Sequence, residues 1–251
     1  MGSVCETIKE TIDYLVEKEN LSIGLVEVHL YRPFSSKYLL NVLPKTVSDI
    51  AVLDRTKEFG ANAPLYLDTL SVIKENNLDI NVYGGRYGLS SKDTTPADIK
   101  SVYDFLMGDE KFNGFTISIN DDVTNLSLPE SNFVIPSKNY EITIMGYGSD
   151  GMVSASKDIM KITGTGSDAY VQGYFEYDSK KSGGVTKSHL RFGKDPIRST
   201  YYVTNPNTVI LTKESYLGKY DIISGIREKG TFILNTTKHS AKLQRCSHAK
   251  L

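Results

Sequence analysis

Short β-branched runs alternate with amphipathic segments along most of the chain, and this alternation constrains the fold more than any other feature of the sequence. In the first half, strand-like runs occur at 22–31, 49–55 and 79–85, and helix-like segments begin at Pro64 and Pro96. A strand followed by a helix, repeated, is the pattern of βαβ units. Because βαβ crossovers are almost always right-handed, the pattern predicts an α/β fold with largely parallel sheets flanked by helices.

A second series of strand-like and helix-like segments begins near Tyr140, after a polar stretch that has two prolines and no clear period. The series contains the strand YEITIMGYG, the helix GMVSASKDIMKI, a strand at 169–178, a helical segment at 213–226 and a strand that ends at Thr236. The sequence therefore predicts two α/β domains, at 1–125 and 140–251, joined by a linker at 126–139.

Composition argues against several classes of function. The formal net charge of −1 over 251 residues gives no basic field that would attract a nucleic acid. No apolar run approaches the roughly 20 residues that span a bilayer, and the first residues lack the layout of a secretory signal. Cys5 and Cys246 are too few to build a four-cysteine iron–sulfur or zinc site. We expect a cytosolic chain without a metal site and without nucleic-acid or membrane partners.

Both ends of the sequence look unfinished. Gly2-Ser3 is a small-residue junction of the kind that follows a strand and caps a helix, but no strand precedes it. A basic tail follows the strand that ends at Thr236. Because whole proteins usually cover the open edges of their sheets, we expect the chain to be an internal piece of a longer polypeptide.

The clearest motif is a glycine-rich turn between a strand and a helix. Gly146, Gly148 and Gly151 fit G-x-G-x-x-G, in which glycines make the turn. We expect these glycines and Ser149, together with the free amides at the helix start, to bind a diphosphate. The alternative is a turn that serves only tight strand-to-helix packing. Asp150 opposes anion binding, unless its side chain faces away or caps the helix.

A polar loop follows the next strand and bears on the choice of ligand. Glu176 and Asp178 lie near the place where an acidic residue binds the ribose of a nicotinamide cofactor. The loop after them suits an additional ribose phosphate, as in NADP or coenzyme A; a solvated hairpin loop is the alternative. The loop residues concerned are Lys180, Lys181, Ser182 and Gly183.

Three further groups of polar residues are candidates. His189 and Arg191 share one face of a predicted strand and either contact an anionic ligand or form a polar face exposed to water. Arg86 and Lys92 lie in a loop after a strand, where they contact a substrate, pair with a neighbouring domain or are only structural. For Arg32, just beyond a strand end, we expect an interdomain ion pair.

Several long blocks together resemble the pyruvate:ferredoxin (flavodoxin) oxidoreductase family. They are VEVHLYRPFSSKYLLNVLPKT, IAVLDRTKE, GGRYGLSSKDTTPA, GYGSDGMVSASK and YFEYDSKKSGGVTKSHLRFGKDPIRSTYYV. The resemblance extends to about Thr236. It implies that 1–125 is the later part of a transketolase C-terminal-like domain and that 140–251 is the start of a Rossmann-like domain, also called the catalytic or gamma domain.

The resemblance also implies a function. The family oxidatively decarboxylates pyruvate to acetyl-CoA with thiamine diphosphate, Mg²⁺ and [4Fe-4S] clusters, and passes electrons to ferredoxin or flavodoxin. In this chain we expect contacts only to the phosphates of coenzyme A, from the glycine turn and the dilysine loop, with Arg191 and Arg198 as helpers. The resemblance further implies the remaining domains of a longer enzyme as partners, a homodimer, and the cytosol or a hydrogenosome as the location. A non-catalytic scaffold and an NADP-dependent reductase are the alternatives.

Overall fold

The computed structural model describes residues 2–56, 58, 60–89, 92–120, 123–178 and 184–238. The chain divides into two compact units. Unit 1 comprises the residues up to Pro136 together with Arg198–Tyr201, and unit 2 comprises Ser137–Ile197 together with the residues from Tyr202 onward. That these units are a transketolase C-terminal-like and a Rossmann-like domain stays a prediction.

Unit 1 has a parallel sheet flanked by helices, in the strand order β1-β2-β3. This arrangement confirms the predicted α/β class. Its elements are α1 (Val4–Glu19), α2 (Ser36–Val42), β1 (Asp49–Asp54), α3 (Pro64–Glu75), β2 (Asn81–Arg86), α4 (Pro96–Met107) and β3 (Phe115–Thr116).

The helices of unit 1 begin where the local chemistry predicts. Both Pro64 and Pro96 occupy first helical positions, which tolerate a missing N–H. The Thr95 hydroxyl accepts from the Asp98 N–H, and the Asp98 carboxylate accepts from the Thr95 N–H, so α4 starts with a complete capping box. The helices cover opposite faces of the sheet, since α3 packs with Val52 and α4 packs on the side of Phe115.

The strand predicted at 22–31 is wrong: the described chain forms no ladder there. Alternate side chains, those of Leu21, Ile23 and Leu25, nevertheless pack against the core of unit 1. The period of two therefore reflects an extended segment with one buried face, and burial of that face does not require a hydrogen-bonded neighbour.

Unit 2 contains a five-stranded mixed sheet in the order β5-β6-β4-β7-β8. The pairs β4–β7 and β7–β8 are parallel, whereas β4–β6 and β5–β6 are antiparallel. The largely parallel sheet predicted for this half is therefore only partly correct, because β5 and β6 form a hairpin instead of a crossover. The elements are β4 (Tyr140–Tyr147), α5 (Met152–Gly166), β5 (Tyr170–Tyr177), β6 (Val185–Gly193), β7 (Thr208–Leu211) and β8 (Thr231–Leu234).

The helix predicted at 213–226 is also wrong. The structure has only a 3₁₀ turn there, at Glu214–Tyr216. Gly218 follows with a φ of 78°, a left-handed conformation that ends a right-handed helix. Tyr216, Leu217 and Ile222 still pack against the core of unit 2, so the apolar spacing arises from a loop that folds onto the sheet.

Among the described residues, no helix is both long enough and apolar enough to cross a membrane.

Candidate functional site

The candidate site lies at the carboxyl ends of the parallel strands β4 and β7, the edge where ligands usually bind in α/β sheets. A tight turn connects β4 to α5. The Asp150 N–H donates to the Tyr147 carbonyl at 3.1 Å, and Ser149 has a φ of 75°, as the third residue of a type II turn requires. The sequence therefore predicted the strand, turn and helix around this motif correctly.

The carboxylate of Asp150 occupies the interior of the turn. Its Oδ2 accepts hydrogen bonds from the Tyr147 N–H at 3.0 Å and from the Thr212 hydroxyl at 3.0 Å. Its Oδ1 accepts from the N–H of Met152, the first residue of α5, at 2.9 Å. Asp150 thus caps the helix from within the turn and stabilises the positive end of the helix dipole.

Two glycines of the motif are explained by this arrangement. A Cβ on Gly146 would lie far inside van der Waals contact with Asp150 Oδ2 and only 2.9 Å from Thr212 Oγ1. Gly151 has a φ of 84°, and a Cβ there would meet no atom within 4 Å, so its backbone conformation rather than helix packing requires glycine. The amides of Tyr147 and Met152 do not fit a phosphate, because Asp150 already uses them.

The turn adjoins the hairpin that carries the predicted dilysine. The Gly148 N–H donates to the Gly184 carbonyl at 2.8 Å, and the Asp178 N–H donates to the Val185 carbonyl at 3.0 Å. The ends of the hairpin loop are therefore fixed next to the glycine turn. The other predicted loop residues, Lys180, Lys181, Ser182 and Gly183, lie outside the described residues.

Lys213 is a cation at this edge that the sequence reasoning missed. It directly follows Thr212, and its ammonium lies 4.2 Å from the ring centroid of Tyr147 and 5.4 Å from that of Tyr216. Such cation–π contacts hold an ammonium group over an aromatic face. Within the described chain no carboxylate lies within ion-pair distance of it. Only the pairing of β7 with β4 places Lys213 here, and the sequence alone did not indicate that pairing.

Arg191 is buried in the sheet of unit 2, with only 1% of its surface exposed. Its Nε donates to Glu141 Oε1 at 2.8 Å, and Arg227 donates to Glu141 Oε2 at 2.8 Å. The guanidinium also donates to Gln172 Oε1 and to the Tyr202 carbonyl, each at 3.1 Å. These contacts hold neighbouring strands together, and a ligand contact by Arg191 stays a prediction.

Arg198 belongs to unit 1, whereas the glycine turn belongs to unit 2. Its guanidinium donates to Asp13 Oδ2 at 2.7 Å, and its Nε lies 4.0 Å from Glu6 Oε2. Both acidic residues are on α1. The structure therefore places Arg198 in an exposed ion pair, and its predicted role toward a phosphate is not tested by this geometry.

His189 shares the sheet face of Arg191, as predicted, but this face is buried rather than exposed to water. The His189 ring stacks on Tyr202, and its Nδ1 accepts from the Val203 N–H at 3.2 Å. Its Nε2 lies 3.6 Å from Glu176 Oε2, just beyond hydrogen-bond distance. The nearby imidazole, together with Lys187, lowers the pKa of the Glu176 carboxyl. Glu176 therefore faces protein groups of its own sheet.

Two family models match the chain in succession. Residues 1–99 match "Pyruvate:ferredoxin oxidoreductase core domain II", and residues 141–249 match "Pyruvate ferredoxin/flavodoxin oxidoreductase". The chain belongs to the pyruvate:ferredoxin (flavodoxin) oxidoreductase family. The two matches leave residues 100–140 between them, which include the change from unit 1 to unit 2.

Relatives in the family match almost the whole chain. The pyruvate:ferredoxin oxidoreductase of Moorella thermoacetica is 49% identical over 94% of this chain and 20% of that protein. The pyruvate-flavodoxin oxidoreductase of Enterobacter agglomerans is 49% identical over 97% of this chain and 21% of that protein. A crystal structure of a pyruvate oxidoreductase subunit from Thermotoga maritima is 26% identical over 43% of this chain and 56% of that subunit, with a TM-score of 0.37. The chain spans about a fifth of the length of the first two relatives.

The cofactors that the family implies were tested against the residues present. Among the described residues, no three His, Cys, Asp or Glu side chains are grouped closely enough to hold a metal ion. The chain has two cysteines, fewer than the four thiolates that hold a [4Fe-4S] cluster. The glycine turn does not fit a phosphate at its inner amides, but Lys213 lies at the same edge and has no carboxylate partner among the described residues.

Proposed function

We propose that this chain is part of an enzyme that oxidatively decarboxylates pyruvate to acetyl-CoA and passes the electrons to ferredoxin or flavodoxin. The observation that carries this proposal is 49% identity over nearly the whole chain to relatives named as pyruvate:ferredoxin and pyruvate-flavodoxin oxidoreductases.

Within that enzyme, we assign to this chain a contact with the phosphates of coenzyme A at the carboxyl edge of β4 and β7. Three features support the assignment. The bond between Gly148 and Gly184 holds one end of the hairpin loop beside the glycine turn, and the sequence of that loop contains Lys180 and Lys181. Lys213 adds a cation at the same edge. The amides of Val153 and Ser154, in the first turn of α5, have no intrahelical acceptors.

Asp150 limits where an anion can lie. Its carboxylate would repel a phosphate at the inner amides of the turn, so the phosphates of coenzyme A lie toward the hairpin. An NADP-dependent reductase needs those inner amides for the pyrophosphate of its cofactor. The position of Asp150 therefore favours coenzyme A over the dinucleotide.

The rest of the reaction belongs to other segments in this proposal. Thiamine diphosphate, Mg²⁺ and the [4Fe-4S] clusters are held by the remaining domains, which are partners of this segment together with ferredoxin or flavodoxin. The complete enzyme is a homodimer in the cytosol, or in a hydrogenosome if the source is an anaerobic protist.

Calorimetric titration tests the coenzyme A contact. We expect coenzyme A to bind the wild-type chain and to bind the Lys180→Ala, Lys181→Ala double variant at least about tenfold more weakly, since two charge-assisted contacts are lost. A matched control is the Lys37→Ala, Lys45→Ala double variant, which removes the same charge from unit 1. The control should bind as tightly as the wild type.

Other results of the titration would contradict the coenzyme A contact or favour an alternative function. Equal affinity of the wild type and the Lys180, Lys181 variant ends the proposed contact. Binding of NADP without coenzyme A indicates the reductase. Binding of neither ligand indicates a scaffold without a nucleotide site.

A further inference from the structure

A small cleft lies at the carboxyl end of β2, in unit 1. Its walls are formed by the start of α3, the end of β2 and the loop before β3, and its volume is about 20 Å³. A cavity needs roughly 10–15 Å³ to hold one water, so this cleft admits about one oxygen atom. The lining residues are Asn62, Ala63, Tyr66, Gly84, Gly85, Arg86, Asn113 and Gly114.

Arg86 supplies the charge of this cleft. Alternation along β2 places Arg86 on the same sheet face as Gly84, and that face is covered by Tyr66 of α3. Arg86 as a whole residue is half-buried. In the part of the chain that the structure describes, its guanidinium has no hydrogen-bond acceptor and no ion-pair partner. Its five N–H donors are therefore free of protein acceptors in the described chain and can serve a bound anion.

The neighbouring polar groups of the cleft are already engaged with the backbone. Asn113 Oδ1 accepts from the Gly84 N–H at 2.7 Å. The Asp54 carboxylate, next to Arg86 in the sheet register, accepts from the N–H groups of Thr56 at 3.2 Å and Leu65 at 3.0 Å. Asp54 therefore caps α3 and, among the described residues, forms no ion pair with Arg86.

Close packing keeps the floor of the cleft rigid. A Cβ on Gly84 would lie 3.0 Å from the ring of Tyr66, and a Cβ on Gly85 would overlap the ring of Phe115. Arg86 thus lines a closely packed cleft that is large enough for one ligand oxygen.

We propose that Arg86 and this cleft form a binding site for an oxyanion group, a carboxylate or a phosphate, one oxygen of which enters the cleft. The planar guanidinium matches either group with paired hydrogen bonds. The site lies at the carboxyl edge of a parallel sheet, the usual ligand edge, and belongs to unit 1, whereas the proposed coenzyme A contact belongs to unit 2. It does not depend on the proposed function.

NMR titration of the whole chain tests this site. The Nε–H resonance of Arg86, assigned by its loss in Arg86→Lys, is followed while sodium acetate or sodium phosphate is added. Sodium chloride at equal ionic strength is the reference. We expect a saturable shift with acetate or phosphate and none with chloride, and the anion with the tighter binding identifies the group.

Two variants test whether the anion response comes from Arg86 in the cleft or from positive charge nearby. Arg86→Gln should weaken the response of the neighbouring Gly84 and Gly85 amides at least about tenfold in anion concentration. Arg55→Gln is the matched control, because Arg55 is exposed, lies next to Asp54 and does not line the cleft. Equal shifts with chloride, or a response that persists in folded Arg86→Gln, would overturn the proposal.

Discussion

Gly146 and Asp150 depend on each other in the turn before α5. The carboxylate fits against β4 only because position 146 has no side chain, and it then joins Tyr147, Met152 and Thr212 in one set of hydrogen bonds. The sequence predicted the turn from G-x-G-x-x-G and raised helix capping by Asp150 as the condition that reconciles it with the motif. The bond to Thr212 was not predictable, because it depends on the pairing of two strands distant in sequence.

Substitution of Gly146 tests this dependence. Gly146→Ala should lower the free energy of unfolding by about 1–3 kcal/mol, since the new methyl displaces Asp150 from the helix start. Urea denaturation measures the change. The control Gly166→Ala, at the end of α5 in open space, should change stability by no more than about 0.5 kcal/mol.

A double variant tests whether the Asp150 carboxylate is the cause of the lost stability. If the clash with Asp150 is the cause, Gly146→Ala should cost clearly less in an Asp150→Gly background, because the two residues are then coupled. Equal costs in both backgrounds would show that the carboxylate is not what requires glycine.

The buried pair of Glu141 and Arg191 supports a second residue-scale prediction. Arg191→Met should destabilise unit 2 by about 3–5 kcal/mol, because it leaves the buried Glu141 carboxylate with only one of its two guanidinium partners. Thermal or urea unfolding gives the value. Lys18→Gln, which breaks an exposed pair with Glu17, should cost at most about 1 kcal/mol. Similar small costs for both variants would rule out a structural role for Arg191.

At the scale of elements, the helix starts that proline and capping residues mark were predicted correctly. Elements inferred from periodicity alone were not. Pro64, Pro96 and Thr95 mark helix starts through chemistry that acts within a few residues. The runs at 22–31 and 213–226 have the right period for a strand and a helix, but a period reports only which side chains are buried. Whether a neighbouring strand is available, or a glycine ends the helix, is decided by tertiary structure.

The ion pair of Asp49 with Lys111 stabilises the start of β1, and we expect its contribution to stability to depend on pH. Burial raises the pKa of Asp49, but hydrogen bonds from Ser48 and Lys111 outweigh it, so the pKa lies below its ordinary value. The stabilisation is therefore complete above the ordinary pKa, about 4, and is lost as the pH falls through the lower folded-state pKa. Lys111→Met should cost up to about 1 kcal/mol at pH 7 and less as the pH falls below about 4.

Urea unfolding of both proteins between pH 7 and pH 2.5 checks this pH dependence. Lys100→Met, which breaks a more exposed pair with Asp104 on α4, is the matched control. A difference between Lys111→Met and the wild type that stays constant over this range would contradict the role of Asp49.

At the scale of the whole molecule, the chain corresponds to about a fifth of its relatives and contributes two α/β units to the proposed enzyme. The family and the α/β class were predictable because long blocks of sequence carry them. The mixed sheet of unit 2 and the cation at Lys213 were not, since both follow from strand order. Supplied with pyruvate, thiamine diphosphate, coenzyme A and ferredoxin, this chain alone should give no turnover.

The most direct test of the proposed role is the KM for coenzyme A of a chimeric enzyme. This chain replaces the matching segment of the Moorella thermoacetica enzyme, with and without Lys180→Ala and Lys181→Ala, and pyruvate-dependent ferredoxin reduction is measured. We predict an active chimera in which the double substitution raises the KM for coenzyme A at least about tenfold and leaves kcat unchanged. A folded chimera with its cofactors bound but without activity, or an unchanged KM in the double variant, would contradict the account.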